Sequence, residues 1–525
     1  MSLRTRLATP LTVGLLAVAC ASPSAPPPMS RDRIDLATHT RRFDAAAHAD
    51  GGEADAIEYA RQYFTTLGLQ QVTVQSVPLV RMTTTSSALR LNTPRGPFVI
   101  DPQGTQYVIW PGHQQATASF SEARIVFAGY GIVAPDFQRD DYKDVDVRGQ
   151  MVLLIEGPPV VDGREELGAA GRAYYGRRFY KFAEAARHGA AGVVLIHQAQ
   201  EPWDMVREEF GNGIVEIATE ANALKQPAPI IEGMMTPVAA TTLFSAVGLD
   251  LTILTRNAAE LAFRPVQIPV ITMDAELTST VTTETARSAF GVLRGALDQH
   301  IVLTSRWNPV PMASLRGSAG ATREGATAPP ALMESLEENA GSGASVVLET
   351  AAVLATARTK PRGSFVFGIT TATADGIPGL TYYMDHPLLP TTSTVGHLFL
   401  DAGSRAGSEP PRVGQIGFSA DGALSQLTRD EATLKGRVLV PDQDPARSFY
   451  YRANQWDLSS RSIPSLFVTF APDNDRKLRP RPLIGDDGQA TRQRPEDDVW
   501  LLADLLARAA SITAWRPQPP PPTHD

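Results

Sequence analysis

The chain has 525 residues, enough for two or three domains and an ample core. Hydrophobic residues make up 43% and charged residues 20%, the balance of a globular protein, and the mild net charge of -8 argues against nucleic acid as a partner. The one cysteine excludes an intramolecular disulfide and a cysteine-based zinc site, and the nine histidines include no H-x-x-x-H or H-x-H spacing that would form a local metal motif.

Taken in chain order, the first segment is an export signal. Arg4 and Arg6 precede an apolar run over 8–19 that is too short to span a bilayer. Ala17-Val18-Ala19-Cys20 closes it and resembles a bacterial lipobox, in which the cysteine becomes the lipidated first residue; Ala17 stands where leucine is usual. An ordinary signal peptide with Cys20 incidental is the alternative. Residues 21–28 are only Ala, Ser and Pro and read as an extended tether. The expected location is the cell envelope, facing the periplasm from the outer membrane if the source has two membranes. No other run is long enough for a membrane helix.

Helices are predicted over Arg33–Ala47 and Gly52–Leu67, the second with Ala54, Ile57, Ala60, Tyr63 and Phe64 at helical spacing. Gln71–Val80 reads as a strand that Pro78 makes an edge or a bulge. From about Phe120 to Phe263 the character shifts. Strand-like Glu122–Ile132, the loop and buried strand of Asp146–Gly157, the helix Tyr175–Ala186 and the strand Val193–Ile196 follow, then Pro227–Ile231 and the helix Pro237–Val247. From Val266 strands resume at Ala289–Leu293, Ile301–Thr304, Ser364–Ile369, Leu398–Asp401 and Ser465–Phe470, with helices at Ala344–Ala357 and Asp497–Ala510. The alternation predicts an α/β sandwich with a central mixed, mostly parallel sheet. Pro517–Pro522 reads as a proline-rich tail.

Two groups of segments carry a resemblance. Phe127-Ala128-Gly129-Tyr130-Gly131-Ile132, Val147-Arg148-Gly149-Gln150-Met151-Val152 and Tyr180-Lys181-Phe182 through Gly189-Ala190-Ala191-Gly192 resemble a protease-associated (PA) domain. The flanking segments resemble the bacterial secreted di-zinc exopeptidases of peptidase family M28, related to glutamate carboxypeptidase and the transferrin receptor. The resemblance covers roughly residues 33–512. It implies a three-layer zinc-exopeptidase-like domain with a β-rich PA domain inserted. The implied layout is a signal peptide over 1–19, the lipidated cysteine and tether over 20–32, the peptidase-like domain over 33–115 and 266–512, the inserted domain over 116–265 and a tail over 513–525.

Such exopeptidases bind two zinc ions through five side chains, one carboxylate bridging the ions, with a glutamate as general base on the metal-bound water. Carried over position by position, the resemblance puts Arg306 at the first histidine ligand and Asn308 at the aspartate that orients it. The bridging aspartate falls on Asn339, or on Glu338 if one residue is inserted. The general base falls on Thr373 and its neighbouring ligand on Ala374; Asp401 keeps a ligand aspartate, and Asp475 stands at the last histidine. The upstream S-D-H run reads Ala453-Asn454-Gln455.

Arginine has no lone pair for a metal. A cation about 4 Å from a divalent ion, at an effective dielectric of about 20, repels it by roughly 8 kcal/mol. Alanine offers no donor, and threonine does not take a proton from water near neutral pH. The expectation is therefore a non-catalytic homologue that holds no zinc and binds an unidentified peptide or protein. An active aminopeptidase with an atypical carboxylate site, suited to calcium or magnesium, and a structural envelope scaffold are the alternatives. There is no G-x-S-x-G run to supply another nucleophile.

Plainer readings stand beside these. Asp401 at a strand end also suits a loop cap, and Glu337 with Glu338 a solvated charge cluster at a helix start. Arg306 is expected to pair with Asp401, Glu338 or Asp475. His386 and His397 read as surface or structural histidines, and Trp307 as core or pocket wall.

Overall fold

The structure is a computed structural model that describes residues 30–101, 104–161, 164–165, 167, 171, 174–198, 202–221, 227–308, 340–372, 376–403, 413–416, 422–437, 439–440, 463–470 and 494–512. Strands are β1 (Gln70–Thr93), β2 (Gly96–Val99), β3 (Tyr107–Pro111), β4 (Thr117–Phe127), β5 (Met151–Ile155), β6 (Gly192–Ile196), β7 (Ile214–Ile217) and β8 (Ile231–Met235). They continue as β9 (Val266–Leu293), β10 (His300–Arg306), β11 (Ser364–Thr370), β12 (Thr394–Leu400), β13 (Val413–Ile416), β14 (Leu439–Val440) and β15 (Ser465–Thr469). The helices relevant here are α1 (Leu36–Ala47), α2 (Gly52–Thr66), α3 (Arg178–Arg187), α4 (Trp203–Gly211), α5 (Pro237–Ser245), α6 (Leu251–Ala259), α7 (Ala340–Ala355), α8 (Pro378–Asp385), α9 (Ala423–Leu434) and α10 (Glu496–Ala509).

One mixed sheet runs through the molecule in the order β14-β13-β15-β12-β10-β11-β9-β4-β5-β6-β8-β3, with β1 along β9 and β7 and β2 beside β1. Strands β11, β10, β12 and β15 are parallel, as are β4, β5, β6 and β8. Both parallel groups have buried strands of near-continuous apolar sequence, because helices cover both faces. Around β10, Ile301 and Leu303 face a core shared with α1, α2, α7, α9 and α10. Val302 and Phe399 face Leu380, Tyr383 and Met384 of α8 instead. The period of two thus sorts side chains into an α/β sandwich with a largely parallel central sheet.

Several elements differ from the sequence reading. The segment expected to be β-rich includes, among the described residues, the helices α3 to α6; Phe182, Val206 and Phe210 pack on one face of its strands, Leu243, Phe244, Leu254 and Ala258 on the other. Helices α4 and α6 are only nine residues each, too short for a helical period to be read from the sequence. Strand β9 is one continuous strand of 28 residues, where strand character from Val266 and a separate strand at Ala289–Leu293 were expected. Helix α7 begins at Ala340, four residues before its periodic apolar face, because Gly341 and Gly343 are packing residues rather than turn residues. A Cβ on Gly341 would meet Asp44 Oδ1 at 2.8 Å, and one on Gly343 would meet the Asp401 carbonyl oxygen at 2.4 Å. Pro78 lies inside β1, at the point where pairing with β7 stops, so the missing N–H interrupts no ladder to β9.

Candidate functional site

The site lies just past the carboxyl ends of the parallel strands β10, β11 and β12, the usual place for chemistry in such sheets. Register puts Arg306, the last residue of β10, beside Thr370 of β11, and Ser305 beside Leu400 of β12. Asp401 follows Leu400 directly, so the sheet itself brings Arg306 and Asp401 together. The guanidinium donates to Asp401 Oδ1 from Nε at 3.1 Å and from Nη2 at 3.0 Å. Its Nη1 donates to the Asn308 carbonyl oxygen at 2.7 Å. The two side chains are 4% and 1% exposed. Burial raises the Asp401 carboxyl above its ordinary range, and Arg306 pulls it back. Asp401 Oδ2 is buried and accepts no hydrogen bond from the described residues.

Asn308 closes the turn after β10. Its Nδ2 donates to the Ala372 carbonyl oxygen at 2.8 Å, and its Oδ1 accepts from the Ala372 amide at 2.9 Å. An aspartate carboxylate could accept the second bond but not donate the first, so the amide suits this turn. Trp307 is core: it is buried in the cluster under α7, its amide donates to Thr370 O at 3.1 Å, and its Nε1 donates to Thr371 Oγ1 at 3.0 Å. Thr371 Oγ1 in turn lies 2.7 Å from Arg287 O and 3.0 Å from Glu53 Oε1, one of which takes its proton. The link from Trp307 to Arg287 and Glu53 had no signal in the sequence.

Helix α7 docks beneath the pair. Ser342 Oγ accepts from the Gly403 amide at 3.0 Å, and Gly343 sits against Asp401 and Ser305. Asp401 is tied through its amide to Val468 O at 2.9 Å, while its carboxylate faces Arg306 rather than capping a loop. His397 is fully buried and bonded to Thr304 Oγ1 at 2.8 Å, with burial pushing its pKa down to about 3. His386 is exposed and stacks on Tyr382. Both are the structural and surface histidines expected.

Of the other candidate positions, Cys20, Glu338, Asn339, Thr373, Ala374 and Asp475, together with Glu337 and Ala453-Asn454-Gln455, lie outside the described residues. Among the described residues no group of three or more His, Cys, Asp or Glu could hold a metal ion, and no helix is long and apolar enough to cross a membrane. The pair itself does not fit a zinc centre. Asp401 Oδ1 is taken by two guanidinium N–H groups, and Arg306 has no atom to offer a cation.

Residues 339–500 match the model of peptidase family M28. A search of curated proteins finds no match. Among solved structures, an aminopeptidase from Aneurinibacillus sp. strain AM-1 is similar at 16% identity and a TM-score of 0.50, covering 94% of this chain and 98% of its own. A zinc aminopeptidase from Bacillus subtilis (14% identity, TM-score 0.42) covers 91% of this chain and 94% of its own. A peptidase M28 precursor from Shewanella amazonensis SB2B (14%, 0.36) covers 94% and 100%. The fold is similar to that of the Aneurinibacillus aminopeptidase, with the M28 match confined to residues 339–500.

Proposed function

We propose that this chain is a non-catalytic homologue of the secreted M28 aminopeptidases that binds a peptide or protein at the envelope. The observation that carries the reading is the buried Arg306–Asp401 pair at the carboxyl ends of the sheet. There a fixed cation of the protein neutralises a carboxylate that, by the resemblance, would otherwise hold zinc. The assignments of Asn339 or Glu338, Thr373, Ala374 and Asp475 to the remaining positions belong to the same proposal, as does the reading of 116–265 as an inserted PA domain. With neither a metal-bound water nor a carboxylate base, no hydrolytic step is available.

The test is hydrolysis of aminoacyl anilides by the purified mature protein, alone and with added zinc, calcium or magnesium. The expected result is no turnover above buffer. Metal-dependent turnover would overturn the reading. Anchoring through Cys20 is tested by Cys20→Ser, which should release the protein from membranes into the soluble fraction; unchanged membrane retention would refute lipidation at that residue.

A further inference from the structure

Strand β9 is paired with β1 along its full middle, from Thr272 to Val292. Its other edge is shared by two strands, with β4 along Val266–Thr278 and β11 along Ala289–Leu293. Between them, no strand among the described residues pairs with the edge. The ends of the gap show which backbone groups face it. The Ser279 amide donates to Ala116 O at 2.7 Å, away from β1. The Arg287 amide donates to Glu53 Oε1, and the Arg287 carbonyl oxygen accepts from Thr371 Oγ1, also away from β1. Strand alternation then turns the N–H and C=O groups of Val281, Thr283 and Thr285 into the gap, repeating every ~6.7 Å, while the even-numbered residues bond β1. Pro78 agrees with this phase, because it stands opposite Thr285, where β1 needs no N–H toward β9.

From Thr280 to Thr285 the strand reads Thr-Val-Thr-Thr-Glu-Thr, and all but Glu284 are exposed. Glu284 is paired with Arg81. The open edge therefore carries no unpaired charge, no proline and no bulge, the devices by which edges are usually blunted. The gap is short and bounded at both ends, which admits a single extended strand more readily than the edge of another sheet. Its far end is closed at Arg287 by Thr371, which also bonds Trp307 Nε1 next to Arg306.

The geometry points to residues Val281–Thr285 as a docking edge for an extended, uncharged polypeptide segment, which pairs with β9 as an added strand. This deepens the peptide-binding reading above and rests on it. Backbone pairing supplies the affinity, and the partner's alternate side chains supply the choice.

The probe is a fluorescein-labelled nine-residue peptide that alternates threonine and valine between terminal lysines, read by fluorescence anisotropy on the full mature chain. Thr283→Pro removes the central N–H of the open edge without touching the ladder to β1, and Thr283→Ala keeps the backbone intact. The expected result is binding that weakens at least tenfold in Thr283→Pro and stays within twofold in Thr283→Ala, with amide exchange slowed over 279–287 on binding. If Thr283→Pro fails to fold, Thr285→Pro and the exchange measurement on the unmodified chain decide the question. Binding equally strong in the proline variant overturns the edge while leaving peptide binding elsewhere on the chain standing. Absence of binding to the unmodified chain overturns both. A dimer that dissociates in the proline variant assigns the edge to a second copy and overturns the peptide proposal.

Discussion

Arg306 and Asp401 hold each other in a place where neither would be tolerated alone. Arg306→Ala leaves a buried, unpaired carboxylate that burial already raises, and should destabilise the protein by about 3–5 kcal/mol. Replacing both partners, as in Arg306→Met with Asp401→Leu, should recover most of that loss in thermal unfolding. Equal losses in the single and double variants would show that the pairing is incidental. Asn308→Asp should cost about 1–3 kcal/mol, since the Ala372 carbonyl oxygen loses its donor. The pairing was legible in the sequence because both residues stand at strand ends that a parallel sheet brings together. The tie from Trp307 through Thr371 to Arg287 and Glu53 was not, because it joins four distant segments with no shared pattern.

At the scale of elements, helix α7 is set by what lies under it. Gly343→Ala gains about 1 kcal/mol of helix propensity, but its Cβ would meet the backbone oxygen of Asp401, which cannot rotate away. The clash should win, lowering the melting temperature; a stabilised variant would contradict the tight docking. Strand β9 was legible as strand character from Val266 and as a strand at Ala289–Leu293, but not as one continuous element, because its exposed threonine-rich middle lacks the apolar alternation that marks a half-buried strand. The parallel strands also bury two neutral histidines. Burial, with Arg294 for His300, lowers His300 to about 4 and His397 to about 3 from an ordinary 6.5. Below pH 6.5 the unfolded chain takes up protons that the folded one refuses. Stability from these two residues is thus complete above pH 6.5 and falls as pH drops toward 4 and then 3. His397→Gln should flatten the acid side of a urea-midpoint profile, and an unchanged slope would refute the assignment.

Across the whole molecule, one sheet joins two parallel groups of strands through the long β1–β9 ribbon. The α/β class and the order of its segments were legible from strand and helix alternation, whereas the ribbon and the helices α4 and α6 were not. The group around β8 carries its own pH dependence. Burial, reinforced by Glu216 and opposed by the Trp110 hydrogen bond, pushes the Glu232 carboxyl up to about 8. A carboxyl raised in the folded state contributes stability that is whole below its ordinary value and lost as pH rises through 8. Glu232→Gln, which still accepts from Trp110, should be more stable than the unmodified chain at pH 8 and no more stable at pH 4.5. An equal stability difference at the two pH values would contradict this. The central claim is that a protein cation stands where zinc would be held. It is tested most directly by titrating the metal-free mature protein with zinc and reading bound metal per chain. The account predicts no stoichiometric high-affinity uptake. One or two zinc ions held tightly per chain, lost on Asp401→Ala, would contradict it.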